Sequence, residues 1–196
     1  MNKAKPEELR FKEIEHKFVV GGDFDLASFD AVLQAMKPTR TNTVSVLDTY
    51  YLLSGSHFAI RHRYDEELHH LTIKTLGTDT EVRQEVNIDL GHHAGDQRAQ
   101  VEAFVAQLGA RWSGSLRKDL KVWYFPDAEV VHYVASTDVR TVRCVEFEAI
   151  LKPSLAEALQ TVRHYEQATG FDETDRCHLS LLQLVFPDID TSSPLV

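Results

Sequence analysis

Residues 10–20 read RFKEIEHKFVV, in which Glu13, Glu15 and Lys17 alternate with Ile14, His16 and Phe18. So strict an alternation marks a β-strand with one polar face and one buried face. It leaves open what two carboxylates and an ammonium group look onto: plain water, or a partner that needs all three.

The same alternation returns further on. Arg61 and Arg63 stand two apart in AIRHRYD, Thr72 and Lys74 in LTIKT, and Arg83, Glu85, Asn87 and Asp89 share a face in VRQEVNIDL. Asp119, Lys121 and Trp123 share one in KDLKVWYF, as do Glu146 and Glu148 in VEFEAI. Taken singly, each polar face is the wet side of a sheet whose other side carries helices. Taken together, charge is sorted by strand, with paired carboxylates on the first and last and mainly Arg and Lys between. Closing the sheet into a barrel would turn this face inward and leave the helices on the apolar outside. Such a cavity is stable only if filled by water, ions or a ligand of matching charge. Paired carboxylates suit Mg²⁺ or Mn²⁺, whereas Arg and Lys suit phosphate oxygens. The two together point to a polyanionic phosphate chain.

Between the strands, Leu26, Phe29, Val32, Leu33 and Met36 recur at helical spacing, and so do Val101, Phe104, Val105 and Leu108. Ser154 with Glu157 forms a capping box, and Gly170 is the matching stop. A last helix is expected from roughly Glu173 to Val185. About eight strands and four helices, without strict βαβ alternation, favour an α+β fold with a mostly antiparallel sheet. The expectation is a single domain over 1–196, with a core over about 11–186 and a loose tail from 187 to 196.

With 43% hydrophobic and 26% charged residues the composition is that of an ordinary globular chain. A formal net charge of −9 argues against broad affinity for nucleic acid or anionic lipid, though a local basic pocket is still open to a small anion. Cys144 and Cys177 have neither metal-ligand nor disulfide-framework spacing. No apolar run is long enough to span a membrane and no signal-peptide pattern is visible, so a cytoplasmic setting is the default. His69-His70 and His92-His93 read as surface histidines, since adjacent strand residues point to opposite faces. Trp112 and Trp123 read as packing residues.

EIEHK resembles the ExExK signature of the CYTH proteins, also called triphosphate tunnel metalloenzymes. Its followers strengthen the likeness: LDTYYL is similar to that family's Tyr/Asp strand, AIRHR to its paired-arginine strand, LTIKT to its lysine strand, EVRQEV to its Arg-x-Glu strand and VEFEAIL to its closing Glu-x-Glu strand. The resemblance runs in order from about residue 11 to 183. It implies an eight-stranded antiparallel β-barrel, a triphosphate tunnel, with helices packed outside. It assigns Glu13, Glu15, Glu146 and Glu148 to Mg²⁺ or Mn²⁺, and Lys17, Arg61, Arg63, Lys74, Arg83 and Lys121 to the phosphates. Glu85 is a further acidic member, and Glu15, Glu148 and Lys17 are the expected catalytic groups. The implied activity is metal-dependent hydrolysis of a small inorganic or organic triphosphate. The alternatives are a class IV-type adenylyl cyclase, releasing cyclic AMP and pyrophosphate from ATP, and a non-catalytic polyphosphate-binding module. The resemblance allows a homodimer, of which the sequence carries no sign. Four positions depart from the pattern: Asn87 stands where an acid is common, the family's Lys-x-Arg step is blurred among Arg117, Lys118 and Lys121 in RKDLKVWY, CHLSLL replaces a Ser-Tyr pair, and His132 falls where an aspartate is expected, with Asp138 as its substitute under a shifted register.

Overall fold

The computed structural model describes residues 11–76 and 81–189, and within them the alternating segments form eight strands. These are β1 (Lys12–Val19), β2 (Arg40–Leu53), β3 (Phe58–Tyr64), β4 (His69–Thr75), β5 (Val82–Asp89), β6 (Ala110–Tyr124), β7 (Ala128–Ser136) and β8 (Thr141–Ala149). All pairings are antiparallel, and the order β1-β5-β4-β3-β2-β6-β7-β8 closes on itself to make the expected α+β barrel. Side-chain alternation then decides which residues face the bore. Even positions of β2, β6 and β8 and odd positions of β1, β3, β5 and β7 point inward.

Two helices cover the outside of β1, β6, β7 and β8. In α1 (Leu26–Ala35), Asp25 caps the first turn by accepting from the Ser28 N–H. In α3 (Leu155–Thr169), Ser154 accepts from the Glu157 N–H, and Gly170 ends the helix at φ 81°, a conformation glycine adopts without strain. Phe29, Leu33, Ala158 and Val162 from these helices pack on Phe18, Trp123, Val145 and Phe147. A third helix, α2 (Arg98–Gln107), sets Val101 and Val105 against Tyr51, Leu53 and Ile60. Its other two stripe residues, Phe104 and Leu108, stay about half exposed, and Val32 of α1 is also exposed.

The expected last helix is broken into a 3₁₀ turn, Glu173–Asp175, and a short α4 (Leu181–Val185). The reason lies in β1, which pairs with β5 over Lys12–Ile14 and with β8 over Glu15–Val19. The edge of β1 beyond Glu15 is taken by the extended backbone between the two helical pieces: Phe18 bridges Arg176, and the Cys177 N–H donates to the Lys17 carbonyl at 2.7 Å. Behind this edge, fully buried His16 meets Glu166 through Nδ1, and Glu166 accepts from Arg176 at 2.9 Å.

α4 drives Leu181, Leu182 and Val185 into one end of the barrel. Phe186 follows and packs edge-on to Trp112 at 5.1 Å. Gly114 permits this, because a Cβ there would lie 2.5 Å from the Trp112 ring. Within the expected tail, residues 190–196 lie outside the described residues, as do the first ten residues and the GTDT break at 77–80. Among the described residues no helix is long and apolar enough to cross a membrane.

Candidate functional site

The bore holds a cavity of about 240 Å³. Ten of the eleven residues singled out from sequence line it: Glu13, Glu15, Lys17, Arg61, Arg63, Lys74, Arg83, Glu85, Glu146 and Glu148. The register explains the convergence. Glu13 lies opposite Arg83, Glu15 opposite Glu148 and Lys17 opposite Glu146 on neighbouring strands, while Lys74 lies opposite Glu85.

Eight of these groups, all but Arg63 and Glu148, form one connected network. The Lys74 ammonium reaches Glu13 at 2.8 Å and Glu85 at 2.6 Å. Arg83 donates through Nη2 to both Glu13 and Glu15 at 2.9 Å. Lys17 sits 3.2 Å from Glu15 and 3.2 Å from Glu146, which also accepts from the Tyr133 hydroxyl at 2.6 Å. Arg61 is looser, 3.5 Å from Glu85 and 3.2 Å from the Thr72 hydroxyl. Thr72 donates to Asn87, whose amide donates to Glu85, so Asn87 is a neutral prop where an acid was expected.

Arg63 differs from the rest. Its guanidinium is held in a fork by Asp48, with both contacts at 2.7 Å and Asp48 fully buried. Burial opposes the charge on each partner, but their mutual attraction outweighs it, so Asp48 titrates far below and Arg63 above the ordinary range.

Lys121 does not join the cavity. It lies on the outer face of β6, paired with Asp30 of α1 at 2.9 Å, and Asp30 also accepts from the Trp123 indole at 2.8 Å. The inward lysine of β6 is Lys118, with Leu116 and Leu120 as its inward neighbours. On this strand the charged face, with Arg117, Asp119 and Lys121, is the outer one, while Lys118 stands among apolar inward residues, so expecting charge to face the bore pointed to the wrong phase. Counting back from fully buried Trp123 as a helix-facing residue would have found it. Lys118 has no carboxylate within 4 Å among the described residues. Its ammonium rests over the Tyr133 ring, 3.9 Å from the centroid, and burial pulls its pKa down to about 8.

Neither His132 nor Asp138 supplies the missing acid. His132 faces outward and stacks on Phe24 at 5.7 Å, while Asp138 lies in the turn between β7 and β8. The inward carboxylate of β7 is Glu129, opposite Glu148. Sequence reading missed it because it precedes the apolar run VVHYV without a second charge two residues on. The surface reading of the histidine pairs also fails for His69, which is fully buried. It donates through Nδ1 to the Gly91 carbonyl, so its Nε2 accepts from His62 at 3.1 Å.

The carboxylates fall into two electrostatic kinds. Burial raises Glu13 and Glu146, but neighbouring cations outweigh it, holding Glu13 well below the usual range and Glu146 at about 2. Burial also raises Glu15 and Glu148, and there the nearby carboxylates reinforce it, above all at Glu148, which feels Glu13, Glu129 and Glu15. Burial lifts Glu129 as well. Among the described residues no cation lies within 4 Å of Glu148 or Glu129. This corner of the bore is therefore short of positive charge, and its oxygen donors fit a hard dication. The donors are not preassembled: among the described residues no three acidic, thiol or imidazole groups stand close enough to hold a metal as they are.

No protein-family model matches the chain. No curated protein matches it either. Solved structures do. The PH1012 protein of Pyrococcus horikoshii superposes with a TM-score of 0.72 at 17% identity, over 88% of this chain and 99% of its own. A candidate adenylate cyclase from Bacillus halodurans gives 0.57 at 15% identity, over 90% and 99%. HpAC1 from Hippeastrum, a candidate adenylyl cyclase with a dominant triphosphatase activity, gives 0.50 at 13% identity, over 81% and 88%. At such identities the likeness is one of fold, and in fold this chain is an eight-stranded antiparallel tunnel of the kind its motifs resemble.

Proposed function

We propose that the protein hydrolyses a small triphosphate inside this tunnel, with Mg²⁺ or Mn²⁺ bound by Glu13, Glu15, Glu146 and Glu148 and with Glu129 as an added donor. The observation that carries the reading is the balance of charge in the bore. With the Asp48–Arg63 pair set aside, Glu13, Glu15, Asp65, Glu67, Glu85, Glu129, Glu146 and Glu148 line the bore with Lys17, Arg61, Lys74, Arg83 and Lys118. Carboxylates already exceed cations, so a polyanion enters only together with dications. The described activity of HpAC1, which shares the fold, agrees with this reading.

Phosphate oxygens would replace carboxylates as partners of Lys74 and Arg83, and the carboxylates so released would turn to the metal. Lys118 and Arg61, the least committed cations, would meet the phosphate chain first. A bound dication supplies charge neutralisation and a fixed orientation for the phosphate oxygens. Glu148, with no side-chain cation within 4 Å among the described residues, is the carboxylate suited to take the proton of the attacking water. As the water oxygen bonds to the terminal phosphorus, the bond from that phosphorus to the bridging oxygen breaks, giving phosphate and the shortened chain. Lys17 and Arg83 would stabilise the negative charge on the departing oxygen.

The test is a product assay with Mg²⁺ or Mn²⁺ on inorganic triphosphate, ATP and thiamine triphosphate, beside the Glu13→Ala/Glu15→Ala double variant. Phosphate release that the double variant abolishes is the expected result. Cyclic AMP with pyrophosphate would replace the hydrolase by a cyclase. Triphosphate binding without turnover would leave a polyphosphate-binding module.

A further inference from the structure

The turn that joins β5 to α2 folds back over the outer face of β3 and β4, on the opposite side of the sheet from the bore, and brings three imidazoles together there: His62, His69 and His92. His62 and His69 are buried, with Nε2 of one 3.1 Å from Nε2 of the other. His69 donates its Nδ1–H to the Gly91 carbonyl, which fixes its Nε2 lone pair toward His62. A bond of this kind holds the ring of a metal-ligating histidine in place. His62 likewise has a hydrogen bond to the backbone at Asp96. A single proton, on the His62 Nε2, separates the two lone pairs, and a metal ion can take its place. Tetrahedral Zn²⁺, with Zn–N bonds of about 2.0–2.1 Å, needs nitrogens about 3.3 Å apart and ring centres about 5 Å apart. The ring centres of His62 and His69 are 5.3 Å apart, and those of His69 and His92 are 5.8 Å apart. His92 is exposed, and its Nε2 donates to the Asp65 carbonyl at 2.9 Å. A turn of this ring would exchange the carbonyl for an ion, so two donors are preset and the third swings in from solvent. Tyr64 packs against both neighbours, its ring 5.0 Å from His69 and 5.6 Å from His92. Arg98, a cation that His62 feels, is itself paired with Asp96 at 3.6 Å.

We infer that His62, His69 and His92 form a site for Zn²⁺ or another borderline dication such as Co²⁺ or Ni²⁺, completed by water. Three imidazoles without a carboxylate choose such an ion over Mg²⁺, which takes oxygen donors. The bound ion would fasten the β5–α2 turn to the two strands that carry Arg61 and Lys74. The site is independent of what the bore turns over.

The experiment titrates the full chain with Co²⁺, the spectroscopic substitute for Zn²⁺, in an excess of Mg²⁺ that occupies oxygen donors. The expected result is the intense visible absorption of tetrahedral Co²⁺, saturating at one equivalent and bleached by Zn²⁺. It should be lost in His62→Gln and in His92→Ala, and kept in Glu13→Ala/Glu15→Ala. The inference is overturned by the faint absorption of six-coordinate Co²⁺ alone, by a band that either histidine variant keeps, or by a band that the double glutamate variant loses. His92 is exposed, so His92→Ala should fold as the wild type does, and it decides the matter alone if His62→Gln does not fold.

Discussion

The two sides of the bore are held together by different forces, and they differ in how freely they can rearrange. On β1, β5, β4, β3 and β8, Lys17, Lys74 and Arg83 each touch two carboxylates, and each contact has alternatives within reach. On β2, β6 and β7, close-packed Val46, Leu120, Val122 and Tyr133 have one arrangement set by their shape. The proposed phosphate chain would exchange partners with the first side through side-chain movement alone, while the second side is fixed by close packing. The Asp48–Arg63 fork lies at their junction and belongs to the rigid side, because both of its bonds are already optimal.

That contrast predicts the largest stability effect at Asp48. Asp48→Ala leaves a buried guanidinium unpaired and should cost about 3–5 kcal/mol in urea unfolding. Because the folded-state pKa of Asp48 is depressed, its contribution is present above the ordinary carboxylate range and is lost as pH falls toward the folded value. Unfolding of the wild type should therefore steepen in acid, and the variant should lack that component. If the variant is as stable as wild type, the fork is not part of the frame.

On the exchangeable side, Glu148→Gln would remove the proposed proton acceptor and a proposed metal donor together. The expected loss in kcat/KM is about 10²–10³-fold, with stability unchanged or improved because a strained carboxylate is gone. A smaller effect comes from Lys118, which is charged below about pH 8 and loses its charge as pH rises through that value. The kcat/KM profile, which reports the free enzyme, should fall above about pH 8, and Lys118→Met should abolish that limb and lower the plateau by about tenfold. An unaltered alkaline limb in the variant would remove Lys118 from the phosphate grip. The smallest effect belongs to Lys121→Ala: a partly exposed pair with Asp30 contributes less than about 1 kcal/mol, and turnover should stay within about twofold of wild type.

The same contrast explains what could be read from sequence. Where one face of a strand is charged and the other apolar, period-two alternation identifies both, and Glu13, Glu15, Lys17, Arg61, Lys74, Arg83, Glu85, Glu146 and Glu148 were found that way. On β7 both faces are largely apolar, so Glu129 went unseen; on β6 the charged face is the outer one, and Lys121 was taken for Lys118 because charge was expected to face the bore. The Asp48–Arg63 fork needs the β2–β3 register, which no single strand carries. The break in the last helix carried one local signal, the Ser180–Gln183 capping box that starts α4, but the extended Arg176 and Cys177 are held by bonds to β1 that no local pattern shows.

The change of partner along β1 also bears on solubility. With Arg176 and Cys177 removed, Lys17 and Phe18 would present an uncapped strand edge beside a large aromatic, the kind of template on which chains stack into fibres. A chain ending at Gly170 should accordingly scatter light as its concentration rises while the full chain stays clear. The short run between the two helical pieces thus works as a guard against self-association as much as a fastening of the fold.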